Sequence, residues 1–264
     1  MPFNWHLRQT NSVSLAHIVL SLIFGSFVGS VLGFVGAGGA MITVPILLYV
    51  FHFNAQQATT AALAVVFMAA FFGLIPKIRS KDVLYREALS IWAIGLVTNI
   101  GGALLSKNLS AGVITGGFAI VLFIAGGSML RGPAKIKPEQ RMPLGALIAT
   151  SLLIGLMTGL FGIGGGFLAI PILVLFYNTP QNKAAGTSLF IITINCLTSF
   201  FGHQSQWAQV KWGVPLVIGF AAIIISALAS HYSSRVPTDL LRKSFAYLLF
   251  ALSIFTIIKT VLAK

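Results

Sequence analysis

The sequence predicts an all-α polytopic membrane protein made of two copies of one unit in inverted topology. Three observations predict it. Of 264 residues, 57% are hydrophobic and only 8% charged, whereas soluble domains carry about 25% charged residues. The apolar runs are long enough to cross a bilayer, which takes about 20 helical residues. Finally, a glycine–proline pattern occurs twice. Gly29, Gly33, Gly36, Gly38, Gly39 and Pro45 return as Gly155, Gly159, Gly162, Gly164, Gly165 and Pro171, every member displaced by 126 positions.

Ten apolar segments follow one another, at roughly 14–36, 39–53, 58–75, 89–105, 112–130, 143–162, 165–177, 184–201, 213–230 and 241–260. Their periodicity is continuous or helical, unlike the alternation of barrel strands. Residues 1–12 lack the layout of a signal peptide, because no basic stretch abuts the first run and that run is too long. The second and seventh segments would give only about 20 Å of helix, against a hydrocarbon core of about 30 Å. Each begins at a glycine cluster, so each cluster is expected to join a long helix to a short one as a hairpin turning within the membrane. The first repeat then covers 14–130 and the second 143–260, joined by a cytoplasmic linker at 131–142.

Charge sets the orientation. The 76–88 loop holds Lys77, Arg79, Lys81 and Arg86, and the 131–142 loop holds Arg131, Lys135, Lys137 and Arg141. Two spans separate these loops, and the excess of basic residues marks their side as cytoplasmic. The 106–111 loop between them has only Lys107, and 202–212 has only Lys211 and His203. Both termini therefore fall on the non-cytoplasmic face. Because 76–88 lies inside and its counterpart 202–212 outside, the copies are inverted, an architecture in which secondary transporters hold substrate near the midplane at the repeat interface.

The formal net charge of +13 does not indicate nucleic acid, because the basic residues are divided among short loops rather than gathered on one face. The lone Cys196 excludes an intrachain disulfide and a cysteine-rich metal site. No enzyme constellation, metal-ligand cluster or phosphate loop ending in Lys-Ser/Thr is present; catalysis and a cofactor are not expected. The acids Asp82, Glu87, Glu139 and Asp239 all fall in loops. Carboxylate relays of the kind proton-coupled transporters use within the membrane are therefore absent from the expected spans, which favours an anion over a cation as cargo.

The candidate site residues lie at the clusters and just after them. Gly36, Gly38 and Gly39, with Gly162, Gly164, Gly165 and Gly166, can take left-handed turns whose successive N–H groups form an anion-binding concavity at a helix N-terminus. Two such ends facing each other would hold a small anion. The alternative is that the glycines only permit close helix packing, the role expected for Gly25, Gly29, Gly33, Gly155 and Gly159. Hydroxyl donors follow each hairpin: Thr59 and Thr60 in the first copy, Thr187 and Ser188 in the second. They could serve an oxyanion or satisfy their own helix backbone. Asn99 and Asn195 fall mid-span and need partners, and His203 could gate or sense pH from the outer loop.

The paired patterns Gly33-x-x-Gly36-x-Gly38-Gly39-x5-Pro45 and Gly159-x-x-Gly162-x-Gly164-Gly165-Gly166-x4-Pro171, with Ala184-x-Gly-Thr-Ser-Leu189 and the closing Leu240-Leu241-Arg242-Lys243-Ser244-Phe245-Ala246, resemble the sulfite exporter TauE/SafE family of membrane transporters. The resemblance covers about residues 14 to 260. It implies a multi-pass protein of the cell (cytoplasmic) membrane that moves a small sulfur-containing anion such as sulfite or an organosulfonate, mostly outward. Partners expected are that anion and the lipid bilayer, with a homo-oligomer left open. Two departures bear on the site: Ala40 stands for the third glycine of the cluster, and Thr60-Ala61-Ala62 stands where the second copy has Gly186-Thr187-Ser188. The second half is expected to contribute more direct ligands. A channel-like anion pathway, or a non-transporting membrane partner of a sulfur-metabolism enzyme, are the alternatives.

Overall fold

The structure, a computed structural model, describes residues 15–130 and 143–262 except 167, 171, 172 and 174–178. The 131–142 linker, Pro171 and most of the second short segment thus lie outside the described residues. The first copy comprises α1 (Leu15–Val35), α2 (Gly39–Pro45, continued by a π turn at Ile46–Val50), α3 (Ala55–Arg79), α4 (Tyr85–Ser106) and α5 (Ala111–Leu130). The second comprises α6 (Leu144–Phe161), helical residues around 168–170, α7 (Gln181–Gly202), a 3₁₀ turn (Gln204–Gln209), α8 (Gly213–Tyr232), a second 3₁₀ turn (Ser233–Arg235) and α9 (Thr238–Leu262). Six described helices, α1, α3, α4, α6, α7 and α8, are long and apolar enough to cross a membrane.

Local chemistry accounts for the boundaries. Pro45 lacks an N–H, and the helix widens after it, with the Phe51 N–H reaching back to the Ile46 carbonyl at 3.3 Å. Asn54 caps α3: its side chain accepts from the Gln57 N–H at 2.8 Å, and the Gln57 side chain accepts from the Asn54 N–H at 3.3 Å. This cap starts α3 three residues before the expected segment. At its other end α3 runs past Pro76 to Arg79, beyond the expected end at 75.

Helices α3 and α7 form the centre, each about two-thirds buried. They run antiparallel. Beside the start of α3, the Gln57 side chain donates to the Gln209 carbonyl, just beyond the end of α7, at 2.9 Å. At the other end, the Leu84 N–H donates to Thr187 Oγ1 in the first turns of α7 at 3.0 Å. Around this pair the copies exchange helices. α1 packs along α8 and α4 along α6, while α5 packs along α9. Under the 126-residue offset α1 corresponds to α6 and α4 to α8, so the first two pairings are equivalents of each other.

Glycines make the exchange sterically feasible. A Cβ at Gly29 would lie 2.7 Å from the Ala222 carbonyl oxygen of α8, and one at Gly33 would lie 2.5 Å from that of Ser226. In the equivalent pairing, Gly155 and Gly159 abut the carbonyl oxygens of Gly95 and Asn99 on α4. These glycines have the close-packing role expected of them. Apolar side chains such as Leu15, Val97, Ile124 and Tyr247 remain exposed on the perimeter, as a lipid-facing surface requires.

Substituting Gly159→Ala is expected to force α4 and α6 apart and to cost about 1–3 kcal/mol. Gly116→Ala, where a Cβ meets nothing within 4 Å, is expected to be neutral or slightly stabilising. Thermal unfolding of the two purified variants checks the contrast.

Candidate functional site

All eleven sequence-predicted site residues are buried. Gly36 and Gly38 have φ of 73° and 84°, while Gly162, Gly164 and Gly165 have 68°, 73° and 71°. The second copy thus takes three left-handed residues where the first takes two. Gly39 is already the first residue of α2, and Ala40 follows it inside the helix. The presence of Ala40 is therefore not what sets the sharpness of the first turn.

Each cluster is seated on the other copy. A Cβ at Gly36 would lie 2.7 Å from the Ala185 Cβ of α7, and one at Gly162 would lie 2.9 Å from the Thr59 Cγ2 of α3. These contacts are equivalents under the 126-residue offset. Gly38 faces the Phe245 ring of α9, Gly39 faces Leu32, Gly164 faces Cys196 and Ile192, Gly165 faces Ile154 and Thr158, and Gly166 faces Ile192 and Ser188. The space beside every cluster glycine is thus filled by protein atoms.

The first glycines of the two turns are staggered along the central helices. Gly162 sits at the level of Thr59, near the start of α3. Gly36 sits on Ala185, whose neighbour Gly186 abuts Lys77 and Asp82 at the end of α3. Thr59 and Lys77 are separated by about 27 Å of helix. The first glycines of the clusters therefore lie towards opposite ends of the central helices. This stagger of the first glycines follows because α1 and α6 descend from opposite ends.

The hydroxyls divide sharply. Thr60 donates to the Gln56 carbonyl at 2.9 Å, and Thr187 donates to the Lys183 carbonyl at 2.6 Å while accepting from Leu84 N–H. Ser188 donates to the Gly166 carbonyl at 3.0 Å, which ties α7 to the second hairpin. Only the Thr59 hydroxyl, buried beside Gly162, has no hydrogen-bond partner. Asn99 donates to the Asn195 backbone and side-chain oxygens, both at 3.2 Å, and so joins α4 to α7. Cys196 is buried against Gly164. Just beyond α7, His203 donates from Nδ1 to the Ser199 carbonyl at 2.8 Å, with Nε2 3.1 Å from Ser106 Oγ. Burial, joined by the nearby Lys107 charge, lowers its pKa below the usual imidazole value, against the opposing hydrogen bond to Ser199.

One residue escaped the sequence reading. Lys77, counted there among loop charges, occupies the last turn of α3, is 4% exposed, and donates to Ser233 Oγ at 2.8 Å. Among the described residues it is the one buried lysine, arginine or carboxylate. The signal was its spacing of four from Gly73 across Pro76, which continues a helix face, but proline reads as a stop.

The geometry separates the hydroxyls by role. Thr187→Val is expected to release the Leu84 N–H and lower stability by about 1–2 kcal/mol. Thr59→Val removes a hydroxyl without a protein partner and is expected to leave stability unchanged or raised. Thermal unfolding of both variants decides between these outcomes.

Comparison with known proteins agrees with this architecture. The profile of the family described as sulfite exporter TauE/SafE matches residues 21–256. A probable membrane transporter protein of Xylella fastidiosa is 26% identical over 260 residues, covering 93% of this chain and 97% of the relative. A probable membrane transporter protein of Bacillus subtilis is 25% identical, covering 83% and 90%. One from Methanocaldococcus jannaschii is 27% identical, covering 85% and 86%.

Proposed function

The chain belongs to the sulfite exporter TauE/SafE family, and we propose that it is a secondary transporter exporting a small sulfur-containing anion, sulfite or an organosulfonate, across the cell membrane. As a member of that family it is a membrane transporter rather than an enzyme. The finer reading rests on one observation above others: the reciprocal seating of each glycine turn on the central helix of the opposite copy, Gly36 on Ala185 and Gly162 on Thr59.

That seating suits alternating access. The antiparallel α3 and α7, with α1 on α8 and α4 on α6, support two copies inverted about an axis in the membrane plane, with 76–88 and 131–142 cytoplasmic and both termini on the far side. Rocking one copy against the other unseats one glycine turn while the other stays closed. The anion travels along the α3–α7 seam between the staggered turns. The Gly36 and Gly162 N–H groups are bonded to the Leu32 and Thr158 carbonyls, so the backbone donors on offer are those of the later cluster glycines, with Thr59 adding a free hydroxyl. Thr60, Thr187 and Ser188 contribute theirs only once their present bonds open. A potential of about 100 mV, negative inside, favours outward movement of a monovalent anion by about 2.3 kcal/mol, so export needs no coupling ion.

Proteoliposomes loaded with sulfite test the proposal. Saturable efflux with counterflow of labelled sulfite is the expected result. Gly165→Leu, which places a side chain against Ile154 and Thr158 at φ 71°, is expected to insert normally and abolish flux. Flux without counterflow would mean a pore, absence of flux with any sulfur anion a non-transporting partner, and normal export by Gly165→Leu would remove the turn from the transport cycle.

A further inference from the structure

Between α3 and α8, near the end of α3 that meets Gly186, polar groups gather without an apparent structural reason. Ser226, Ser230 and Ser233 follow one another at spacings of four and three, which places them on one face of α8 and its 3₁₀ extension. Gly73 and Lys77, one turn apart on α3, face this row: a Cβ at Gly73 would meet Ser226 Oγ, and Lys77 Nζ donates to Ser233 Oγ at 2.8 Å. Gly33 of α1 closes the third side against the Ser226 carbonyl and the Ser230 N–H.

The hydrogen bonding of this row is incomplete. Ser233 Oγ is satisfied, since it accepts from Lys77 and donates to the Ser230 carbonyl at 2.8 Å. The hydroxyls of Ser226 and Ser230, 0% and 2% exposed, have no partner. A buried hydroxyl without a partner costs about 1–3 kcal/mol, and a buried ammonium has three donors to satisfy. The Asp82 carboxylate near this end of α3 accepts from Ser80 Oγ at 2.8 Å, and its charge also favours the Lys77 ammonium. One cation and two unpartnered hydroxyls, with Ser226 Oγ packed against Gly73, have the chemistry of an oxyanion site. An amine or metal cation would find no complementary set, because none of these side chains is a dedicated acceptor.

We propose that Lys77, Ser226 and Ser230 form an oxyanion-binding subsite between α3 and α8, at the end of the α3–α7 seam marked by Gly36. It names a stopping point for the cargo and rests on the transport reading for that role, though not for its ability to bind. Lys77 supplies charge, the two serines supply hydroxyl hydrogen bonds, and Ser233 holds the ammonium in place when the anion is absent.

Thermal unfolding of the purified full-length protein tests it, with sulfite, sulfate and inorganic phosphate as probes. Wild type is expected to be stabilised by at least one oxyanion through mass action. Lys77→Met and Ser230→Ala are expected to need about tenfold more anion for the same shift, with little change in the anion-free midpoint. Ser230→Ala carries the test if Lys77→Met fails to fold, because the Ser230 hydroxyl makes no protein hydrogen bond. Equal anion dependence in wild type and Ser230→Ala, or no stabilisation of wild type by any probe, would overturn the subsite. Proteoliposome flux separates the two readings. Variants that lose binding beside a wild type without flux sink transport and keep the subsite. Unaltered half-saturation of flux in both variants sinks the subsite and keeps transport.

Discussion

Contact between helix backbones at glycine is the interaction on which the rest of this structure depends. In lipid no hydrophobic force draws one apolar helix to another, and association comes from close packing. Gly29 and Gly33 on α1, and Gly155 and Gly159 on α6, let each opening helix lie directly on a helix of the other copy. Once those helices are exchanged, each glycine turn must arrive at the central helix of the partner copy. The seating of Gly36 on Ala185 and of Gly162 on Thr59 follows from the exchange rather than standing beside it.

The second constraint is the cost of polarity away from water. Backbone groups are satisfied within helices, and many buried hydroxyls bond to the carbonyl one turn earlier, as Thr43 does with Gly39 and Thr193 with Leu189. The exceptions include the Ser21 and Ser151 hydroxyls, the Thr59 hydroxyl beside one glycine turn, the Ser226 and Ser230 hydroxyls with Lys77 towards the other, and the Asn99–Asn195 bridge between α4 and α7. A membrane protein keeps buried charge where it has work to do, and Lys77 here carries a positive one. That sign matches anionic cargo.

Much of this was legible in the sequence because periodicity and glycine spacing are local signals. The ten apolar segments fall on the described helices within a few residues, except that most of the second short segment lies outside the description. The fixed displacement of 126 positions foretold the equivalent contacts. Three-dimensional placement was not legible. Nothing in the Gly36 and Gly162 motifs says that one turn lies about 27 Å of helix from the other, since that depends on the antiparallel setting of α3 and α7. Nor could the motif after each hairpin say that Thr187 binds the Leu84 N–H, a partner 103 residues away, while Thr59 binds nothing. Lys77 looked like a loop charge because Pro76 precedes it, and only the continued helix puts it inside.

The central claim is that the two copies are inverted, so that equivalent turns open to opposite sides. Arg79 and Ser205 are related by the 126-residue offset, and both are exposed. Single cysteines at these positions, introduced in a chain carrying Cys196→Ala and probed in intact cells with a membrane-impermeant thiol reagent, test the claim most directly. The account predicts labelling of Ser205→Cys in intact cells, and of Arg79→Cys only after permeabilisation. Equal labelling of both in intact cells would contradict it, placing the copies in the same orientation.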